Sequence, residues 1–256
     1  MSTEFPKEIT QIGCGFCYVP LAFEFSFAFQ PIVDLHKKEV FGYEALVRGP
    51  QGESAYSVLE QVNDSNRYAF DQACRVKAIR LASQLQLDKV LSINFLPNAV
   101  YEPAHCIRST LAAAKETGFP IENLMFEIVE SEQVYNRQHL TKIFKSYEKQ
   151  GFITAIDDFG AGHAGLNLLA DFLPSVLKID MDLVRDIDKN STKQTIVRHL
   201  VSMCNELKVR VLAEGLETAE EVNFFRSIGV TLQQGYFFAH PGFETLPQID
   251  FSVHES

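Results

Sequence analysis

Asp157 and Asp158 stand side by side at the end of an apolar run in TAIDDFGAGHAG, residues 154–165. Adjacent side chains on a strand point to opposite faces, so both carboxylates reach one site only if the chain turns there. Gly160 and Gly162 would permit that turn. The bland alternative is a turn in which an aspartate accepts local hydrogen bonds. Other acids and amides sit at comparable places. Gln30 lies in FQPI, Glu44 and Arg48 in GYEALVRG, Asn94 in SINF, Glu127 and Glu130 in FEIVE. Lys178 and Asp180 follow in VLKID, Glu214 and Glu217 in LAEGLE, and Gln234 in QQGY. A lone carboxylate at a strand end is usually a cap or a loop acceptor. Six converging acids would repel one another severely unless protons or cations intervened. Glu44, Asn94, Glu127, Asp157, Asp158 and Glu214 are all hard oxygen donors, a set that suits Mg²⁺ or Mn²⁺ rather than structural zinc. Asp157 could then bridge two ions while Asp158 holds one, the arrangement of two-metal phosphodiester hydrolysis.

Lys178 lies between Leu177 and Ile179. Three roles suit it: a structural partner for a carboxylate, a group that orients an attacking water, or a Schiff-base amine. Arg48 could fork onto a phosphate or make a surface ion pair. Neither the P-loop nor the dinucleotide-binding glycine pattern is present.

Such a site needs elements that bring strand ends together. Strand-like runs recur as FSFAFQPIV, EVFGYEALV, KVLSINF, NLMFEIVE, FITAIDD, SVLKID, VRVLAEG and TLQQGYFF. Several are continuously apolar, as expected of strands buried on both faces. Helical spacing fills the gaps, with Phe70, Cys74, Ala78 and Leu81 on one face and Ile196, Leu200, Met203 and Leu207 on another. Thr218 and Glu221 form a capping box opening a helix that Gly229 closes. Eight strands alternating with helices predict an α/β fold, a (β/α)₈ barrel, whose active sites gather at the C-terminal ends of the strands.

The 256 residues carry 33 acidic and 23 basic side chains, a formal net charge of −10. That balance excludes a protein that holds duplex DNA or RNA through its phosphates. An anionic small substrate requires a local reversal of the field, which bound cations would supply. No apolar run of 18 residues predicts a membrane span, and the N-terminus lacks the order of a secretory signal. These features lead to an expectation of a cytoplasmic protein. Five cysteines make an odd count for a disulfide scaffold, and the Cys14–Cys17 pair has no second pair to complete a metal site.

The ordered series QPIV, EALVRG, Asn94, FEIVE, DDFGAG, LKID, AEGLET and QGYFFAHP, from about Ser26 to Pro241, resembles EAL domains. These are bacterial phosphodiesterases that open cyclic di-GMP to linear pGpG. The resemblance implies a modified TIM-like barrel whose first strand is antiparallel, with residues 1–25 as an N-terminal extension and 26–250 as the domain. It implies that Glu44, Asn94, Glu127 and Asp157 ligate one metal and that Asp157, Asp158 and Glu214 serve a second. Lys178, Glu214 and Glu217 would be catalytic, and Gln30, Leu46, Arg48, Asp180, Gln234 and Pro241 would line the substrate. Glu130 would support the loop after Asp158. It further implies two divalent cations, Mg²⁺ or Mn²⁺, a homodimer, and a place in second-messenger signalling over biofilm and motility. This chain departs from the family at His163-Ala164-Gly165, where Tyr-Ser-Ser is usual, and at Gly49, where tryptophan is common. None of these departures removes a metal ligand. Two other classes compete: a receptor or interaction module that binds cyclic di-GMP or a protein without turnover, and a Schiff-base lyase built on Lys178.

Overall fold

The computed structural model describes residues 20–100, 102–129, 137–161 and 165–254. Eight strands form a closed barrel: β1 (Ser26–Asp34), β2 (Glu39–Arg48), β3 (Val90–Asn94), β4 (Leu124–Val129), β5 (Ile153–Phe159), β6 (Val176–Ile179), β7 (Arg210–Ala213) and β8 (Leu232–Gln233). From β2 to β8 neighbouring strands are parallel, whereas β1 is antiparallel to both β2 and β8. The reversed first strand and the modified TIM-like barrel are therefore as the resemblance implied. A short β9 (Gly242–Phe243) adds to the outer part of β1. TLQQGYFF, read as a full strand, pairs only over Leu232–Gln233 before the chain turns.

The connecting helices are α1 (Ala55–Leu59), α2 (Arg67–Gln84), α3 (Pro103–Cys106), α4 (Arg108–Thr117), α5 (Arg137–Lys149), α6 (Gly165–Asp171), α7 (Met181–Val184), α8 (Ser191–Glu206) and α9 (Ala219–Ser227). In α9 both halves of the Thr218–Glu221 capping box form, and Gly229 follows with φ +83°. In α8 the buried side is Val197, Leu200, Val201 and Cys204, with Met203 packed against the core, so Leu200 and Met203 of the predicted face turn inward and Ile196 and Leu207 do not. Ile196 and Leu207 are 49% and 39% exposed. The choice between neighbouring apolar positions lies beyond periodicity, because Ile196-Val197 and Leu200-Val201 satisfy either face. Among the described residues no helix is long and apolar enough to cross a membrane.

The barrel interior explains where the site sits. Ile32, Val90, Met125, Ala155, Val176, Leu212 and Leu232, one from each of seven strands, pack into a buried layer. In β2 that level is held by Gly42, paired with Ile32 and Val90, where a Cβ would collide with the Val90 carbonyl. Side chains two residues further along a strand return to the same face, so the next interior layer up each parallel strand is fixed by the first. That layer is Glu44, Ser92, Glu127, Asp157, Lys178, Glu214 and Gln234, with Gln30 reached by stepping back along the reversed β1. An apolar floor thus carries a polar storey.

Candidate active site

Lys178 occupies the middle of the polar layer and is fully buried. Its Nζ lies 2.8 Å from Asp157 Oδ1, 2.9 Å from Glu127 Oε2, 3.0 Å from Glu214 Oε2 and 3.5 Å from Glu44 Oε2. Two further side chains hold Glu44. Asn94 Nδ2 donates to its Oε1 at 2.9 Å and Gln234 Nε2 to its Oε2 at 2.7 Å. Across β1–β2 it pairs with Gln30, whose Oε1 accepts from Gln234 at 3.3 Å. Ser92 Oγ donates to Glu127 beneath the cluster. Sequence reading missed Ser92; its place two residues before Asn94 on the same face was the available signal.

Asp157 and Asp158 reach the site together because β5 bulges. Its pairing with β6 runs from Ile156–Leu177 to Phe159–Ile179, so three steps on one strand face two on the other. The break falls at Asp158 itself, with φ +52°, a left-handed conformation that aspartate tolerates better than most residues. Gly160, with φ +110°, continues the turn that the glycine spacing predicted. Gly162, Glu130, His163, Ala164, Cys14 and Cys17 lie outside the described residues.

The electrostatics are severe. Burial pushes the Glu127 carboxyl up to about 8, with Lys178 opposing the shift and Glu44 and Asp157 adding to it. Burial and then Asp157 raise Glu214 well above the carboxylate range. Burial and Asp157 raise Asp158 to about 6. Burial works against the Lys178 ammonium, yet the surrounding carboxylates, led by Asp157, hold its pKa well above the ordinary lysine value. If all five carboxylates of the cluster (Glu44, Glu127, Asp157, Asp158 and Glu214) gave up their protons to ligate cations, the one ammonium would leave a formal charge of −4, which two divalent cations would cancel. The donor geometry fits such ions. Oxygen atoms of Glu44, Glu127 and Asp157 lie within 4.8 Å of one another, as do those of Asp157, Asp158 and Glu214. Asn94 Oδ1 and Glu214 Oε1 are buried with no hydrogen-bond partner in the protein. Such orphaned hard oxygens are what a cation would satisfy.

Above the cluster opens a cleft of about 280 Å³ lined by Gln30, Glu44, Leu46, Asp157, Asp158, Met181, Glu214, Gly215, Glu217, Gln234, Gly235 and Tyr236. The family model for the EAL domain matches residues 21–241. The chain belongs to the EAL domain family. A standalone versatile EAL protein from Vibrio cholerae O395, solved in its c-di-GMP bound form, is 53% identical, with a TM-score of 0.89 over 92% of this chain and all of that one. Klebsiella pneumoniae BlrP1, as a manganese and cyclic di-GMP complex at pH 9.0, is 36% identical with a TM-score of 0.84, over 91% of this chain and 59% of that one. The blue light- and temperature-regulated antirepressor BluF of Escherichia coli K12 is 32% identical over 224 residues, 87% of this chain and 56% of BluF. The cyclic di-GMP phosphodiesterase NbdA of Pseudomonas aeruginosa is 27% identical over 83% of this chain and 28% of its own length. The chain thus spans little more than half, or less, of these two curated relatives.

Within this EAL domain, three of the residues expected at the substrate, Arg48, Asp180 and Pro241, are not among those that line the cleft. Arg48 Nη1 donates to the neighbouring Val47 carbonyl at 2.8 Å. Asp180 caps α7, accepting from the Asp182 amide at 2.8 Å. Pro241, half-buried, precedes β9 and is not part of the lining. Met181, Gly215 and Tyr236 are lining residues that the sequence did not single out. Tyr236 is 54% exposed there, its ring tilted on His240 with centroids 4.1 Å apart.

Proposed function

We propose that this EAL domain hydrolyses cyclic di-GMP to linear pGpG with two divalent cations, Mg²⁺ or Mn²⁺. The observation that carries the reading is the pair of oxygen-donor clusters sharing Asp157 at the floor of an open cleft. The cyclic di-GMP complexes of the Vibrio and Klebsiella proteins support the ligand, and the manganese in the latter supports the cation. Glu44, Asn94, Glu127 and Asp157 would hold one ion, and Asp157, Asp158 and Glu214 the other. When bound, such ions polarise a phosphate and lower the pKa of water.

The remaining steps belong to the protein's own groups. Lys178 donates to the attacking water from below and keeps the carboxylates gathered. Glu217, on the cleft wall beside Glu214, accepts from that water and orients it for in-line attack on phosphorus, while the opposite P–O bond breaks and the ribose 3′ oxygen leaves as a hydroxyl after taking up a proton. Gln30 and Gln234 fix Glu44 and offer amides to the dinucleotide, and Leu46 gives it an apolar wall. A cyclic dinucleotide extends past the metal floor, which brings Arg48, Asp180 and Pro241 into its flanks. Glu130 is assigned the support of the loop after Asp158. Residues 26–250 act as the catalytic domain, residues 1–25 as an extension, and the cytoplasmic protein works as a homodimer.

A second reading, a receptor that binds the dinucleotide without turnover, is favoured by one observation: BluF is named an antirepressor. Chromatography of cyclic di-GMP incubated with the protein in Mg²⁺, Mn²⁺ or chelator separates the two. Metal-dependent pGpG establishes the enzyme; intact ligand that still binds establishes the receptor.

A further inference from the structure

Arg185 and Glu221 form a fork behind the cleft wall that carries Glu217. Glu221 is almost wholly buried, and its carboxylate does more than cap α9. Its Oε2 accepts from the amides of Glu217 at 2.9 Å and Thr218 at 3.2 Å. Its Oε1 accepts from the amide of Asp186 at 2.9 Å, in the segment after α7. One carboxylate therefore ties the loop after β7 to the segment that follows Lys178 and α7. Asp186 turns the chain there with φ +54°. The Arg185 carbonyl is pinned separately by Lys193 Nζ at 2.7 Å. With both backbones fixed, the Arg185 side chain reaches Glu217, Nη2 to Oε1 at 2.6 Å, while Nη1 stands 3.9 Å from Glu221 Oε1.

Partly exposed ion pairs add little to stability, on the order of 0–1 kcal/mol, so stability does not account for this arrangement. Its effect is directional. Glu217 is 46% exposed at its side chain, and Arg185 is the group that the structure gives its carboxylate. A carboxylate on a cleft wall, free to swing into water, would orient a reactant poorly.

We infer that Arg185 is a positioning residue that holds the Glu217 carboxylate on the cleft wall, with Glu221 fixing the backbones of both partners. The inference rests on the reading of Glu217 given above. It assigns a function to a side chain that touches neither metal ligands nor the cleft.

The test is a double-mutant cycle in turnover of cyclic di-GMP with saturating Mn²⁺. Arg185→Ala should lower kcat about tenfold while KM changes less than about twofold, because oriented geometry, not binding, is lost. Arg185→Lys should restore part of the loss. In a Glu217→Gln background Arg185→Ala should cost nothing further. An unchanged kcat in Arg185→Ala, or an equal loss in the Glu217→Gln background, overturns the inference. A wild-type protein that opens no cyclic di-GMP overturns the functional reading instead. A crystal structure of Arg185→Ala then decides the positioning: Glu217 displaced from the wall sustains it, and Glu217 in its present place refutes it.

Discussion

The Lys178 ammonium lies 2.8 Å from Asp157 Oδ1, and Asp157 is the residue shared by both donor clusters. Metal-free, the ammonium neutralises the point where negative charge is densest. On the proposed two-cation reading, the same group would serve as a hydrogen-bond donor to the attacking water.

Asp157→Asn should abolish turnover while leaving the fold. An amide of equal size keeps the shape, but it cannot carry the charge for two cations. The expected fall in product formation is about a thousandfold, the scale of losing a preorganised charge at a reacting centre. Near wild-type rates in the chromatographic assay would refute the shared-ligand assignment.

Lys178→Met tests the other side of the pair. It leaves the buried carboxylates with no ammonium, and removing one partner of a buried ion pair costs about 3–5 kcal/mol. Urea unfolding in chelator should show that loss, and Mn²⁺ should recover much of it by linkage. Turnover should stay low even when stability returns, because the donor to the water is gone. Equal stability of the variant and wild type in chelator would sink the idea.

The raised carboxyls set a pH dependence for the metal-free protein. Glu127 keeps its proton to about 8 when folded, against an ordinary 4.5 when unfolded. Asp158 keeps its proton to about 6, against 3.8. Between those limits the unfolded chain binds fewer protons, so stability falls as pH rises and levels off above the folded values. Metal ligands must lose those protons, so Mn²⁺ binding at pH 7 should release protons. Calorimetric titrations in two buffers of different ionisation enthalpy count them. Stability that climbs between pH 5 and pH 8 in chelator would contradict the assignment.

The polar storey was legible because strand alternation is simple. Val90 and Ser92, Met125 and Glu127, Ala155 and Asp157, Val176 and Lys178, and Leu212 and Glu214 each place an apolar residue two positions before a polar one. The glycines after Asp158 announced a turn, but the bulge at Asp158 depends on how β5 meets β6, a pairing no local pattern records. The reversal of β1 was invisible to periodicity, since a strand buried throughout reads the same in both directions. Arg185 was passed over because an arginine after a short helix carries no spacing signal; its partner Glu217 comes from a loop 32 positions away.

Gly235 offers a test of how the β8 end is built. The Leu216 amide donates to the Gln234 carbonyl at 3.2 Å, and the Phe237 amide to the Leu216 carbonyl at 3.0 Å. A Cβ on Gly235 would fall inside the Leu216 carbonyl oxygen and amide nitrogen, both backbone atoms that cannot swing aside. Gly235→Ala must therefore push the β7 loop away from β8, costing about 1–3 kcal/mol as overpacking does. The displacement moves Gln234 off Glu44 and shifts Leu216, which lies between Glu214 and Glu217, so turnover per folded molecule should fall as well. Gly118→Ala is the contrast. Gly118 has φ +72° with nothing within 4 Å of an added Cβ, and it lies after α4, outside the cleft lining. Its cost should be backbone strain alone, about 1 kcal/mol, with activity per folded molecule unchanged. If both alanine variants lost stability equally and kept full activity, the close approach at Gly235 would be no part of the site's support.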